Sequence, residues 1–352
     1  MGLFILRRTG VMILTALCLT FIVFVLTNLY PNLEKLAKTQ GNFRMSDEAV
    51  ASWLDKNGYI APMPVKYGQW LGVVPGWTRT DAETGMVTGR CISGEVTAEE
   101  AANAPSLCGI IQGSWGYSTV FKDDVGGIVS KRLGNTGYLM MWVMIVMVPS
   151  ALIIGILAGM REGSAMDRSL STVSIVTTAT PEYVSGVIFI AVFTSSTVGL
   201  KWFKGTATSA MENPTFENFT LPVITIALYG MGYIARMTRA SMTEVMTAQY
   251  IRTARLKGVS FHNIVIKHAL RNALIAPFTV IMLQFPWLLN GVVIVETLFN
   301  YKGFGWVLVE AAGNNDIELL LAVSVVSVVV VLVTQLISDI GYVYLNPRIR
   351  IS

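Results

Sequence analysis

Six apolar runs, each long enough to cross a bilayer, dominate this chain: roughly 10–30, 136–160, 171–199, 219–238, 272–295 and 319–343. A helix needs about 20 such residues to span the hydrocarbon core. No water is present there to satisfy backbone N–H and C=O groups, so each run reads as a helix that closes its own hydrogen bonds. The expected fold is therefore an all-α integral membrane protein with six transmembrane helices. Composition agrees, since 53% of the 352 residues are hydrophobic, 14% are charged and the mean hydropathy is +0.57. Those values point away from the two or three soluble domains that the length alone would allow.

Lysine and arginine placement sets the orientation. Arg7 and Arg8, Arg161 and Arg168, the basic run from Arg236 to Arg271, and Arg348 and Arg350 fall on one side when six spans are threaded. By the positive-inside rule both termini are then cytoplasmic. The loop over 31–135 also carries Lys and Arg, but long loops cross largely regardless of charge, and it is read as periplasmic. Three regions follow: 1–30, the cytoplasmic end and first transmembrane helix; 31–135, the periplasmic loop; and 136–352, a core of five helices. The first run has no small-residue cleavage pattern before "NLYPNLEKL" and reads as a retained anchor. The net charge of +4 reflects this topology, so membrane lipid and no nucleic acid is the expected surrounding.

Within the outer loop, 31–71 reads as short helices with Trp53, Tyr67 and Trp70, and about 74–111 as a surface insertion rich in Gly, Thr and acidic residues. The acids Asp81, Glu83, Glu95, Glu99 and Glu100 outnumber Arg79 and Arg90 there. A segment so poor in large apolar residues cannot order itself by burial. Cys91 and Cys108 both lie in it, and in an oxidising compartment they are either a disulfide worth about 3 kcal/mol or two independent thiols. Cys18, in the first span, reads as a small packing residue.

Catalytic chemistry is largely excluded. Only His262 and His268 exist, and HExxH, GxSxG and GxxxxGK[ST] are all absent. No catalytic residue, metal site or cofactor of the chain's own is expected. Among polar groups in the spans, Glu182 follows Pro181, which favours a kink. It is read either as part of a polar path or as a carboxylate satisfied by a neighbouring helix. Gln284 and Asn290, in a span bent by Pro277 and Pro286, are path residues or packing glue. A channel or proton-coupled carrier with Glu182 in its path is the alternative function, although it should show several intramembrane carboxylates.

The stretch "YIRTARLKGVSFHNIVIKHALRNALIAP" at 250–277 is too polar to cross a bilayer and too regular for a slack connection. Residue choice favours helix from Met242 to Lys257, with Arg252 and Arg255 on one face. Gly258 breaks it, and Ser260 is placed to cap a second helix with the stripe Phe261, Ile264, Val265, His268 and Ala269. Such a pair of helices either docks in a partner's groove or rests on anionic lipid.

"YIRTARLKG" followed by "KHALRNALIAP" resembles the cytoplasmic signature of the inner-membrane permeases of the oligopeptide, dipeptide and nickel class of ABC importers. In ABC importers generally that loop reads EAA, three residues, Gly, nine residues, I-x-L-P. Aligned on Gly258, the first three positions are Arg252, Thr253 and Ala254, and the last four are His268, Ala269, Leu270 and Arg271. Those departures are typical of the peptide-class branch. "LPVITIALYGMGYIARMTRASMTEVM", "GVVIVETLFNYKGFGWVLVEA" and "SDIGYVYLNPRIR" resemble further blocks in the family's order, and "MPVKYGQWL" and "GSWGYS" resemble the blocks flanking its outer loop. The second usually reads G-D-L-G-x-S, so Ser114 and Trp115 depart from it.

The resemblance implies a permease subunit of an ABC importer, half of a pore for peptides or a related small solute. Its partners would be a second related permease, two ATPase subunits that bind ATP and Mg, and a periplasmic substrate-binding protein. The segment 247–262 would be the coupling helix between the fourth and fifth spans, with Arg252, Thr253, Ala254, Arg255, Gly258 and His268 as ATPase-coupling residues. Nickel, opines, sugars and murein fragments are carried by related permeases. The insertion, held by a Cys91–Cys108 bridge, would contact the binding protein or cap the substrate path, or else be an inert decoration.

Overall fold

The computed structural model describes residues 2–81, 84–92, 94–195 and 200–345, with side chains placed except at 2–5, 285–291 and 342–345. Helices come in the order α1 (Gly2–Thr27), α2 (Tyr30–Gln40), α3 (Asp47–Lys56) and α4 (Met63–Leu71). A hairpin of β1 (Thr78–Thr80) and β2 (Val87–Gly89) and the short α5 (Ala98–Ala102) follow. Then come α6 (Val125–Met160), α7 (Ala165–Ala179), α8 (Glu182–Phe193), α9 (Phe216–Thr247), α10 (Gln249–Leu256), α11 (Phe261–Asn263), α12 (Leu270–Ala273), α13 (Ile275–Leu298), α14 (Phe304–Gly313) and α15 (Ile317–Leu345). The chain divides into two compact units, one of residues 10–131 and 307–329, the other of 1–9, 132–306 and 330–352.

The first unit is built on aromatic packing. Phe24, Leu33, Leu36, Val50, Leu54, Trp70, Ile317 and Leu321 form its buried cluster. Tyr67 sits edge-on to Phe24 at 5.4 Å and is tied through its hydroxyl to that of Thr20 at 2.7 Å. The inserted segment is ordered by local devices. β1 pairs antiparallel with β2, with Arg79 opposite Thr88, and Thr97 and Glu100 close a capping box at α5. The two Thr97 hydrogen bonds hold the Glu100 carboxyl below its ordinary pKa. The sulfurs of Cys91 and Cys108 are bonded, with their Cα atoms 5.5 Å apart. Glu83 lies outside the described residues.

In the second unit α9 is the hub, packing against α7, α8 and α13. Its partner α6 presents Leu139, Val143, Met147 and Ala151, one residue per turn and all fully buried. Farther along α6, Gly155 and Gly159 leave room for α9 to come close. A Cβ on Gly155 would lie 2.5 Å from the Ala235 carbonyl oxygen, and one on Gly159 would lie 2.5 Å from the Met242 Cβ. Small residues four apart are how helices in lipid gain van der Waals contact, since apolar lipid supplies no hydrophobic drive.

Among the described residues four helical stretches are long and apolar enough to cross a membrane: Leu6–Thr27, Val125–Met160, Phe216–Thr247 and Ile317–Gly341. The other two expected spans are bent pairs. Ala165–Ala179 and Glu182–Phe193 meet at 104°, and Phe261–Ala273 and Ile275–Gln284 at 49°. The first bend is far sharper than the kink expected at Pro181. Thr180 is extended (φ −89°, ψ 119°), which is the conformation a following proline imposes. Helix α6 starts at Val125 rather than near 136 and at 36 residues is about 54 Å long. Polar residues such as Lys131 and Asn135 are carried as helix because Val125, Ile128 and Val129 are buried.

Candidate functional site

The stretch after α9 folds into a corner. Helix α9 stops at Thr247, whose hydroxyl donates back to the Glu244 carbonyl at 2.8 Å and the Thr243 carbonyl at 3.2 Å. Ala248 is extended, so the single helix expected from Met242 to Lys257 is two. Without that break Ile251 and Ala254 would not face the cluster in which they are buried, with Met242, Met246, Ile264, Val265, Ala269 and Ala273. Helix α10 ends in a Schellman motif: Gly258 N–H donates to Arg255 O at 3.0 Å and Val259 N–H to Ala254 O at 3.2 Å. The motif needs a left-handed residue, and Gly258 has φ +75°. A glycine is required there because a side chain would be strained.

The chain then turns through Ser260, whose side chain makes no capping hydrogen bond, into α11 and a π-helical turn over Ile264–Ala269. A π turn carries five residues between stacked positions instead of four, so Ala269, not His268, returns beneath Ile264. This corrects the expected stripe: Ile264, Val265 and Ala269 are buried, whereas Phe261 and His268 are exposed. Phe261 instead lies under the Arg161 guanidinium, 5.7 Å away. Ser241 Oγ donates to Ala273 O at 2.8 Å and joins the corner back to α9.

Of the six coupling candidates, Arg252, Thr253, Arg255, Gly258 and His268 are exposed, while Ala254 points inward. Between the two arginines and Gly258 sits Leu256, 84% exposed, which sequence reading did not single out. An aliphatic side chain so open, flanked by cations on a rigid corner, makes a contact surface of mixed character.

The hairpin from α6 to α7 is clamped to α9. Arg239 grips Asp167 with both carboxylate oxygens engaged, Nε to Oδ1 at 2.5 Å and Nη2 to Oδ2 at 2.8 Å. Gly163 N–H and Ser171 Oγ also donate to that carboxylate. The bidentate geometry fixes orientation as well as distance.

Glu182 is the first residue of α8, half-buried at the 104° bend. Gln284 is buried in α13, and the Asn290 side chain lies outside the described residues. No hydrogen bond joins Glu182 to Gln284 among the described residues. A fully buried acid in this unit is instead Glu296. It accepts hydrogen bonds from Thr136 Oγ1 and from Trp306 N–H, the latter at 2.9 Å, and Thr136 Oγ1 in turn accepts from Phe304 N–H at 2.7 Å. The carboxylate thereby satisfies free N–H groups at the start of α14. Placing the fifth span's end at 295 left Glu296 one residue outside it. A carboxylate within the run "VVIVETL" was the available signal. Among the described residues no cluster of His, Cys, Asp and Glu could hold a metal.

Comparison with known proteins places this architecture. Residues 151–351 match the family described as binding-protein-dependent transport system inner membrane component. A protein of Sinorhizobium fredii named "probable peptide ABC transporter permease protein" is 30% identical over 99% of this chain and all of its own length. An oligopeptide transport system permease protein of Bacillus subtilis is likewise 30% identical, over 99% of this chain and all of its own. A glutathione transport system permease protein of Escherichia coli is 32% identical over 68% of this chain and 76% of its own. The clamped, multi-helix apolar core ending in a rigid polar corner thus belongs to a transport permease, and this chain is a member of the family of inner membrane components of binding-protein-dependent transport systems.

Proposed function

We propose that the chain forms half of a translocation pore for short peptides. It pairs with a second, related permease, receives substrate from a periplasmic binding protein, and is driven by two separate ATPase subunits that bind ATP and Mg. Each bent pair counts as one span, giving six, with both termini cytoplasmic, 31–135 outside and a five-helix permease core over 136–352. The names of the relatives support peptides as the solute class.

The observation that carries the coupling role is the corner itself. Arg252, Thr253, Arg255 and Leu256 face outward from a helix whose inner face is locked, through Ile251 and Ala254, to the ends of α9 and the start of the next span. A push on that surface moves both helices together. Glu182, Gln284 and Asn290 stay as candidates for the path, and the insertion as a contact for the binding protein. The test is reconstitution with the partner subunits. Leu256→Asp and Arg252→Glu should leave insertion intact and reduce substrate-stimulated ATP hydrolysis about tenfold, since burying one Leu is worth about 1.5–3 kcal/mol. Unchanged stimulation in both variants would reject the assignment.

A further inference from the structure

The first unit contains a cavity of about 210 Å³ that no step of transport above uses. By the ~30 Å³ share of one water in the liquid, it holds a molecule of amino-acid size. Trp53, Trp70 and Trp77 wall it, and the exposed Gln40 stands at its rim, so it opens to the surface.

Three charged groups line it: Glu318, Arg90 and Lys66. Glu318 Oε2 is shut off from solvent and has no hydrogen-bond partner, and neither has Arg90 Nε. Charged groups buried in this way are costly unless something pairs with them. The two form no ion pair with each other. Lys66 spends one donor on the Tyr59 carbonyl at 3.0 Å and has two more. The amides on the wall are already committed: Asn28, Asn57 and Gln69 donate to the carbonyls of Phe24, Trp53 and Pro75. Glu318, Arg90 and Lys66 thus set a carboxyl acceptor and cationic donors around a space bounded by indole rings, and Glu318 and Arg90 each keep a polar atom unpaired. Burial lowers the pKa of Lys66 and, with Glu318 as the next cause, raises that of Tyr59, both signs of a wall poor in water.

We propose that this cavity binds a small zwitterion, its ammonium on Glu318 and among the tryptophan faces, its carboxylate on Arg90 and Lys66. Indole faces favour a cation, and carboxylates pair well with guanidinium. The proposal also gives the inserted segment a task. Arg90 and Trp77 both come from it, and Arg90 N–H is bonded to Trp77 O at 3.0 Å. The neighbouring Cys91 is bridged to Cys108, so the disulfide holds the cationic wall in place. It does not depend on the coupling assignment, because every lining residue is in the first unit.

The test is binding to the purified full-length chain in detergent, by calorimetry or by quenching of tryptophan fluorescence. Two sources of the chemistry are compared, L-leucine as a free amino acid and L-leucyl-L-leucine as a peptide. One of them should saturate, with N-acetyl-leucine and leucinamide about tenfold to a hundredfold weaker, the loss expected for one charged hydrogen bond. Glu318→Gln should remove the discrimination against the N-acetyl compound, Arg90→Gln that against the amide, and reduction of the disulfide should weaken binding of the zwitterion. If a variant fails to fold, the two blocked analogues on the unaltered chain still decide. No saturation by either zwitterion up to about 10 mM, or equal binding of the blocked analogues, overturns the proposal.

Discussion

At the residue scale, the buried acids define what the core tolerates. Glu296 holds the start of α14 through Trp306 N–H and Thr136, so removing the carboxylate leaves a backbone donor buried without a partner. We expect Glu296→Ala to cost about 2–3 kcal/mol and Glu296→Gln less, because the amide keeps one acceptor; thermal unfolding in detergent measures both. The Asp167–Arg239 pair is a second case. Asp167 is 4% exposed in its side chain and Arg239 31%, so the loss of the arginine leaves a covered carboxylate without its counter-charge, held only by Gly163 N–H and Ser171 Oγ. Arg239→Ala should cost about 3 kcal/mol, with much of it recovered in the Asp167→Asn, Arg239→Ala double variant. A double-variant cost equal to the sum of the two single costs would mean that the two side chains are not energetically coupled.

At the element scale, the corner after α9 is the most informative piece. Gly258 is left-handed in a Schellman motif, and Ala254 is both the carbonyl acceptor of that motif and a buried face residue. Gly258→Pro forces φ to about −65° and deletes a donor, and Ala254→Glu inserts a charge into the cluster. Both should leave the chain inserted while abolishing coupled uptake in proteoliposomes; normal uptake would reject the corner as a force-bearing unit. Much of this element was legible in the sequence: the glycine break, the shared face of Arg252 and Arg255, and the inward Ile264 and Val265. The helix break at Ala248 and the π turn were not. Neither carries a Gly or Pro signal, and both arise because Ile251 and Ala269 must reach the same buried cluster. The apolar runs fixed where helices form, yet apolar content alone does not distinguish a straight span from one bent by 104° at Pro181. Glu296 was hidden by a boundary placed one residue early, and nothing in the sequence marks Leu256 as the aliphatic residue that the corner leaves open.

At the scale of the whole molecule, the remaining question is threading. Among the described residues four unbroken helices and two bent pairs give six crossings if both bent pairs span the bilayer and four if neither does, and either even number returns the C-terminus to the side on which the chain began. If one bent pair were re-entrant, the count would be five and the termini would lie on opposite sides. Positive residues argue for six, since Arg7 and Arg8, Arg161 and Arg168, the arginines between 236 and 271, and Arg348 and Arg350 all share a side only in that threading. A tag after Asp81, in the turn of the β1–β2 hairpin, should therefore react with an impermeant reagent applied to intact cells, whereas a tag after Ser352 should react only once the inner membrane is opened. A tag in the exposed corner, after Lys257, supplies the deciding third reading. It lies beyond the first bent pair and before the second, so it shares the C-terminal pattern if both pairs cross. Were the second pair alone re-entrant, Lys257 and Ser352 would label from opposite sides, and the six-span permease arrangement would fall.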